Sequence, residues 1–316
     1  MNIFLFKIGL FFSILLSLAV GAFLLPVLNK GKPSLHYSII DKHQMLKKDS
    51  DRPRLILLGG SNLSFGIYSP IIQEKFQIDV INLGIHAGYG LKYMVDDYKK
   101  YAKENDIVLL IPEYSLYLEN GLYGELPLIQ GINVIPSNVK LLNFEQLLVI
   151  LRNLPKLCIK KIGAFVLSKL RTSKGPFVYN RNSFNSCGDA VAHWGMPKSN
   201  IGTIDMKKGK MVPSKSIKFI HSFSKFVRDK KGLLLISYPC LNRTSFNSNT
   251  SIINQITAEL ENLNFELIGT PSKYSLPDSL YFDTHYHLSK KGQIQRTGIL
   301  VNDLEKHGLQ QWLNRQ

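Results

Sequence analysis

Short continuous apolar runs, each closed by glycine or proline and separated by helical spacing, constrain this chain more than any other feature. Residues 54–60 (Arg54, Leu55, Ile56, Leu57, Leu58, Gly59, Gly60) form one such run. A strand that alternates polar and apolar residues has one wet face; a continuously apolar one is buried on both faces, as in a parallel sheet. Residues 79–83 and 107–111 repeat the pattern, stopped by Gly84 and Pro112. Residues 232–237 and 265–268 repeat it again near the C-terminus. Between them, residues 71–76, 91–104, 214–231 and 249–262 have helical spacing, and a last helix is expected over 288–312. Alternating strands and helices predict an α/β fold around a mostly parallel sheet, of the flavodoxin-like kind.

The alternation lapses between residues 115 and 213, which read as a large insertion. Ahead of the sheet, residues 8–28 are 21 residues without a charge, with Lys7 before them and Lys30 and Lys32 after. A helix of that length spans about 31 Å, the thickness of a bilayer core. A cleaved signal peptide is the competing reading, with Val20, Gly21 and Ala22 as a passable cleavage site. The apolar run continues through Leu28, which favours an uncleaved single-pass anchor. The expected organisation is a membrane anchor over 1–32 and an α/β body over 33–316, joined by a polar tether and an entry helix within 29–53. The flanking lysines balance the N-terminal charges and leave orientation open.

Composition matters here mainly for what it excludes. A hydrophobic fraction of 45% rules out a disordered chain, and three cysteines (Cys158, Cys187, Cys240) are too few for a disulfide scaffold or zinc module. Lys and Arg number 39 against 23 Asp and Glu, a net charge of +16. Eight of the basic residues lie between Lys140 and Lys174, opposed only by Glu145, amid leucines at helical intervals. Such a basic amphipathic stretch suits a membrane surface or an anionic polymer, or else a core-facing helix with a solvated back. No nucleic-acid motif accompanies the charge, and no nucleic-acid partner is expected.

Ligands in open parallel sheets sit at the carboxyl ends of the strands. The first strand delivers Ser61 and Asn62 there, the second Asn82, Gly84, His86 and Gly88, and the third Glu113. Asp283, His285 and His287 come just before the last helix. Acyl transfer needs an exposed hydroxyl, a base within reach and a carboxylate to orient the base. Ser61 on a Gly-Gly turn is exposed, and Asp283 can reach His287 if the loop between them curls. Backbone N–H groups at Gly84 and Gly88 are candidate oxyanion donors. If residues 283–287 were extended instead, Asp283, His285 and His287 would share one side and suit a metal. No second paired-histidine motif supports one, so neither metal nor cofactor is expected.

Gly59, Gly60, Ser61, Asn62 and Leu63, then Asn82, Leu83, Gly84 and Gly88, then Asp283, His287, Leu288 and Gly292, together resemble the GDSL/SGNH hydrolase superfamily. The closest resemblance is to its membrane-anchored bacterial cell-envelope members, which act in O-acetylation of polysaccharides and D-alanylation of teichoic acid. It covers about residues 54–114 and 232–300, not the insertion. The resemblance implies Ser61 as nucleophile, His287 as base and Asp283 as its partner, with Ser61 and Gly88 or Gly84 N–H groups lining the oxyanion hole. It implies an esterase or O-acyltransferase on an envelope glycan or related acylated polymer, at the bacterial cytoplasmic membrane. The sequence departs from the family where Gly60 replaces an Asp, where Glu113 stands in place of an oxyanion Asn, and where Asp283 and His287 are four apart. Asn62 is then the substitute oxyanion donor, and Glu113 is either a site neighbour or a structural carboxylate bonding backbone amides. The departures at Gly60 and Glu113 favour the alternative of an inactive scaffold for envelope polymer synthesis. His285 is read as a neighbour of the base.

Overall fold

A computed structural model of the chain describes residues 2–29, 32–118, 121–170, 177–206 and 213–314. Its centre is a parallel sheet of β1 (Arg54–Gly59), β2 (Asp79–Asn82), β3 (Ile107–Ile111), β4 (Leu233–Ser237) and β5 (Leu267–Ile268). The strands lie in the order β2-β1-β3-β4-β5, every neighbour parallel. The alternation predicted a mostly parallel sheet, and the order observed is the flavodoxin-like one. Leu55 pairs with Val80 on one side and Ile107 on the other, and every residue of β1 and β3 is buried. Burial on both faces explains why these strands read as unbroken apolar runs. Each fully buried Leu or Ile contributes roughly 1.5–3 kcal/mol over leaving it exposed. Buried Arg54 grips Asp106 through Nε and Nη2 at 2.8 and 2.7 Å, and Tyr98 donates to the same carboxylate at 2.7 Å. That pair ties the starts of β1 and β3.

The helices are α1 (Asn2–Leu24), α2 (Ser38–Lys47), α3 (Ser61–Ser64), α4 (Ser69–Phe76), α5 (Leu91–Lys99), α6 (Leu126–Val134), α7 (Phe144–Leu170) and α8 (Pro213–Asp229). They continue with α9 (Arg243–Ser248), α10 (Thr250–Asn262), α11 (Lys290–Lys306) and α12 (Leu309–Leu313). The long C-terminal helix expected from the sequence is divided at Gly308, whose φ of 87° only glycine adopts easily, so α11 and α12 are separate. The three cysteines are buried free thiols.

One boundary differs from expectation at the N-terminus. The apolar helix runs over Asn2–Leu24 rather than 8–28, enclosing Lys7 and stopping short of Pro26, which disfavours helix in the residue before it. Residues 3–24 are long and apolar enough to cross a membrane. The entry helix expected within 29–53 is α2, which buries Ile39, Lys42, His43 and Leu46.

The C-terminal end of α1 is held by the body. Ala22 is buried, and the Phe23 carbonyl accepts from Asn133 Nδ2 at 2.8 Å and from Lys161 Nζ. These donors satisfy a carbonyl that a helix end leaves orphaned. The described part of the 115–213 stretch packs onto the sheet. Leu116, Leu128, Ile132 and Met206 belong to the same core as the strands. Of the basic stretch, Arg171 and Lys174 lie outside the described residues, as does Lys30 beside α1.

Candidate active site

The chain leaves β1 at Gly59, passes Gly60 in extended conformation and enters the short helix α3 at Ser61. Strands β1 and β3 are neighbours on either side of the point where the strand order reverses, so Glu113 at the end of β3 arrives beneath that turn. The Glu113 carboxylate accepts from Gly60 N–H at 3.2 Å and Asn62 N–H at 2.9 Å, one oxygen for each. A Cβ on residue 60 would lie 2.4 and 2.5 Å from those oxygens and 2.7 Å from Ala87 N. Glycine is therefore required at residue 60 once Glu113 is in place. Glu113 is buried, and burial raises its carboxyl above the ordinary range, against the hydrogen bonds that favour the charged form. Glu113 is thus a carboxylate bonding backbone amides, and those amides flank Ser61.

The loop carrying the other candidate residues curls as the four-residue spacing requires. Tyr281 bridges Leu288, Phe282 N–H donates to the His287 carbonyl at 2.8 Å, and Thr284 Oγ1 accepts from His287 N–H at 3.1 Å. This brings Asp283 Oδ1 to 2.9 Å from His287 Nδ1 and His287 Nε2 to 2.9 Å from Ser61 Oγ. With Asp283 on Nδ1, the proton is assigned there and Nε2 is free to accept from the serine hydroxyl. Phe65 stacks on the imidazole, ring centroids 4.2 Å apart and nearly parallel. Burial opposes the charged form of Asp283. Hydrogen bonds from His287 and Tyr179 and the charge on His287 outweigh it and hold the carboxyl below its ordinary value.

The expected oxyanion donors are corrected by the structure. Gly84 N–H donates to its neighbour Asn82 Oδ1 at 3.0 Å, and Gly88 N–H to His86 Nδ1 at 3.0 Å. The Asn62 side chain is fully buried, donating to the Ile111 carbonyl at 3.0 Å and accepting from Arg296 at 3.0 Å. None of the three is free to serve. Among the described residues, Ser61 N–H and Ala87 N–H have no acceptor, and Ala87 N packs against Gly60. Ala87 opens a single 3₁₀ turn, whose first N–H is necessarily orphaned. Ser61 N–H and Ala87 N–H are thus the two amides beside the serine left without an acceptor, whereas those of Gly84 and Gly88 are engaged.

His285 is likewise corrected. Its ring turns toward Ser245 Oγ at 3.4 Å while its carbonyl accepts from Asn242 N–H, so it does not join the site. Asp283, His285 and His287 therefore do not share one side, and the metal arrangement of an extended segment is not adopted. The sequence reading missed Tyr179, which donates to Asp283 Oδ2 and lies 3.2 Å from His287 Nδ1. Tyr179 lies in a non-periodic stretch, and no sequence signal marks it. Ala87 had one signal, its position at the start of a turn.

Ser61 and His287 open into a cleft of about 1270 Å³. Its walls include Leu28 just after α1, His36, His86, Gln130 and, from α7, Lys160 and Leu167. Burial, then the nearby His86, lowers His36 to about 3, and burial, then the nearby His287, lowers His86 to about 4, so both line the cleft as neutral rings. No protein-family model matches the chain, and no curated protein matches it.

Proposed function

We propose that the chain is a membrane-anchored serine esterase or O-acyltransferase of the GDSL/SGNH kind, working on an envelope glycan or related acylated polymer at the bacterial cytoplasmic membrane. The observation that carries this reading is the continuous chain of hydrogen bonds from Ser61 Oγ through His287 to Asp283, at 2.9 Å for each step. Ser61 attacks the acyl carbonyl as His287 Nε2 takes its proton, and Asp283 holds the imidazole in the tautomer that accepts it. Negative charge on the tetrahedral intermediate falls between Ser61 N–H and Ala87 N–H. His287 then protonates the departing alkoxide. Water or a sugar hydroxyl, deprotonated by the same imidazole, releases the acyl group.

The scaffold alternative drew its support from Gly60 and Glu113. Those departures account for each other through packing, so no observation favours that alternative. Retention of α1 as an anchor is supported by the burial of Ala22 and the bonds to the Phe23 carbonyl.

A fluorophosphonate probe on the full-length protein tests the reading. Labelling at Ser61, abolished in Ser61→Ala and His287→Gln, is expected. Absence of labelling, with Ser61→Ala indistinguishable from wild type in an envelope acylation assay, would overturn it.

A further inference from the structure

Helix α7 has an apolar face that the body leaves uncovered. Leu151, Ile159, Ile162, Val166 and Leu170 are all exposed, Ile159 at 73% and Leu170 at 74%. At about 100° per residue they fall within an arc of roughly 100°, the width of an apolar stripe on an amphipathic helix. Arg152 and Lys156 border that stripe on one side and Lys169 on the other, with Lys160 further round toward the cleft, all exposed. Among the described residues, no carboxylate pairs with any of the four.

The position of α7 says what covers the stripe. Lys161 and Cys158 join α7 to the last turn of α1, through the carbonyls of Phe23 and Ala19. That junction falls midway along the stripe, between Leu151 and Leu170, where a membrane-crossing α1 would leave the bilayer. A helix with an apolar stripe and cationic margins, fixed at that level, suits an anionic lipid surface. The cleft leading to Ser61 is walled by the same helix, through Lys160, Gly163, Ala164 and Leu167, and by Leu28 at the exit of α1. With α1 across a bilayer, that mouth would lie near the headgroups, with the apolar stripe beside it.

We infer that α7 seats in the headgroup layer of an anionic bilayer alongside α1, and that the acyl group delivered to Ser61 is carried by an amphiphile of that bilayer. The second half rests on the serine-esterase reading; the first does not. In the acylation step the Ser61 Oγ–acyl bond forms, the ester C–O bond of the amphiphile breaks, and the serine proton passes through His287 to the leaving oxygen. Cationic Lys160 lies where an anionic headgroup would rest.

The test uses the full-length chain in vesicles of phosphatidylcholine and phosphatidylglycerol. A nitroxide at Ile162→Cys, with the native cysteines buried, reports depth through relaxation by oxygen against a water-soluble nickel chelate. The Ile162 label is expected to favour oxygen, and a control at Glu261→Cys on α10 to favour nickel. Equal nickel access at both positions would overturn the membrane seat. The Ile162→Asp/Val166→Asp double variant then separates the two halves. Fluorophosphonate labelling and hydrolysis of a soluble acetate ester should be unchanged, while hydrolysis of a vesicle-embedded glycerolipid ester falls at least tenfold. Equal rates for variant and wild type on the embedded ester would overturn the amphiphile assignment. A lipid-facing Ile162 in a protein that never labels would overturn the esterase reading and leave the seat standing.

Discussion

The Tyr179 hydroxyl donates to the carboxylate of Asp283, a residue 104 positions later in the chain. Asp283 therefore has one oxygen on His287 and the other on Tyr179, and the carboxylate cannot rotate without losing a bond. The segment that closes over the Asp–His pair comes from the stretch the sequence pattern left unassigned.

Tyr179→Phe should lower kcat/KM for a soluble ester by roughly 10- to 100-fold, since a hydrogen bond to a charged group is worth about 1.5–3 kcal/mol. Tyr179 helps hold the Asp283 carboxyl low, so its loss should move that group's titration upward, as read by carboxyl-carbon NMR. An unmoved titration would show that Tyr179 does not orient the carboxylate.

Glu113→Gln should unfold the nucleophile turn locally. A Gln amide has one acceptor oxygen where two N–H groups need two, so one buried donor is stranded at a cost of about 1–3 kcal/mol. The expected outcome is a lowered melting temperature together with loss of probe labelling at Ser61. A variant that melts lower yet labels normally would separate Glu113 from the geometry of the turn.

Ala87→Pro removes the second oxyanion donor. The preceding His86 is extended (φ −156°, ψ 126°), the conformation a residue before proline prefers, while the added ring must be accommodated beside Gly60, against which Ala87 N packs. Loss of one such donor costs about 10²–10³ in kcat. Circular dichroism checks the fold, and an undiminished kcat would remove Ala87 from the oxyanion hole.

Stability should fall in mild acid. His36 titrates at about 3 in the folded chain against an ordinary 6.5, and His86 at about 4. Between those values and 6.5 the unfolded chain binds more protons, so stability is lost as pH drops through that window, by up to about 1.4 kcal/mol per unit for each group. His36→Asn offers an acceptor to Tyr89, which bonds the His36 ring at 2.8 Å, and should make the decline shallower. Thermal melts across that pH range measure it, and parallel curves for the two proteins would refute the assignment.

Burial on both faces writes itself into composition, which is why β1, β3 and β4 were legible as apolar runs. Ser61, Asp283 and His287 were legible because strand ends and a pre-helical loop collect polar residues that have no packing role. The oxyanion donors were not legible. Gly84 and Gly88 have the flexibility such turns need, but whether an N–H is free depends on which acceptors stand beside it, and Asn82 and His86 take both. His287 differs from His285 in being followed by Leu288, Ser289 and, five residues on, Gly292, which marked it as the base. The curl of the loop, fixed by Thr284 and the Tyr281–Leu288 bridge, is what turns its ring to Ser61. The basic stretch was visible as an amphipathic helix, yet its attachment to α1 depends on Lys161 reaching the Phe23 carbonyl across 138 residues of chain.

The contact between Glu113 and the turn at Gly60 also has a consequence for descent. Any side chain at residue 60 collides with the Glu113 carboxylate, and without that carboxylate the turn's amides lose their acceptors. The two positions therefore form a single heritable character. A lineage that gains an acid before the serine must surrender Glu113 in the same step, and intermediates carrying only one of the changes would be purged.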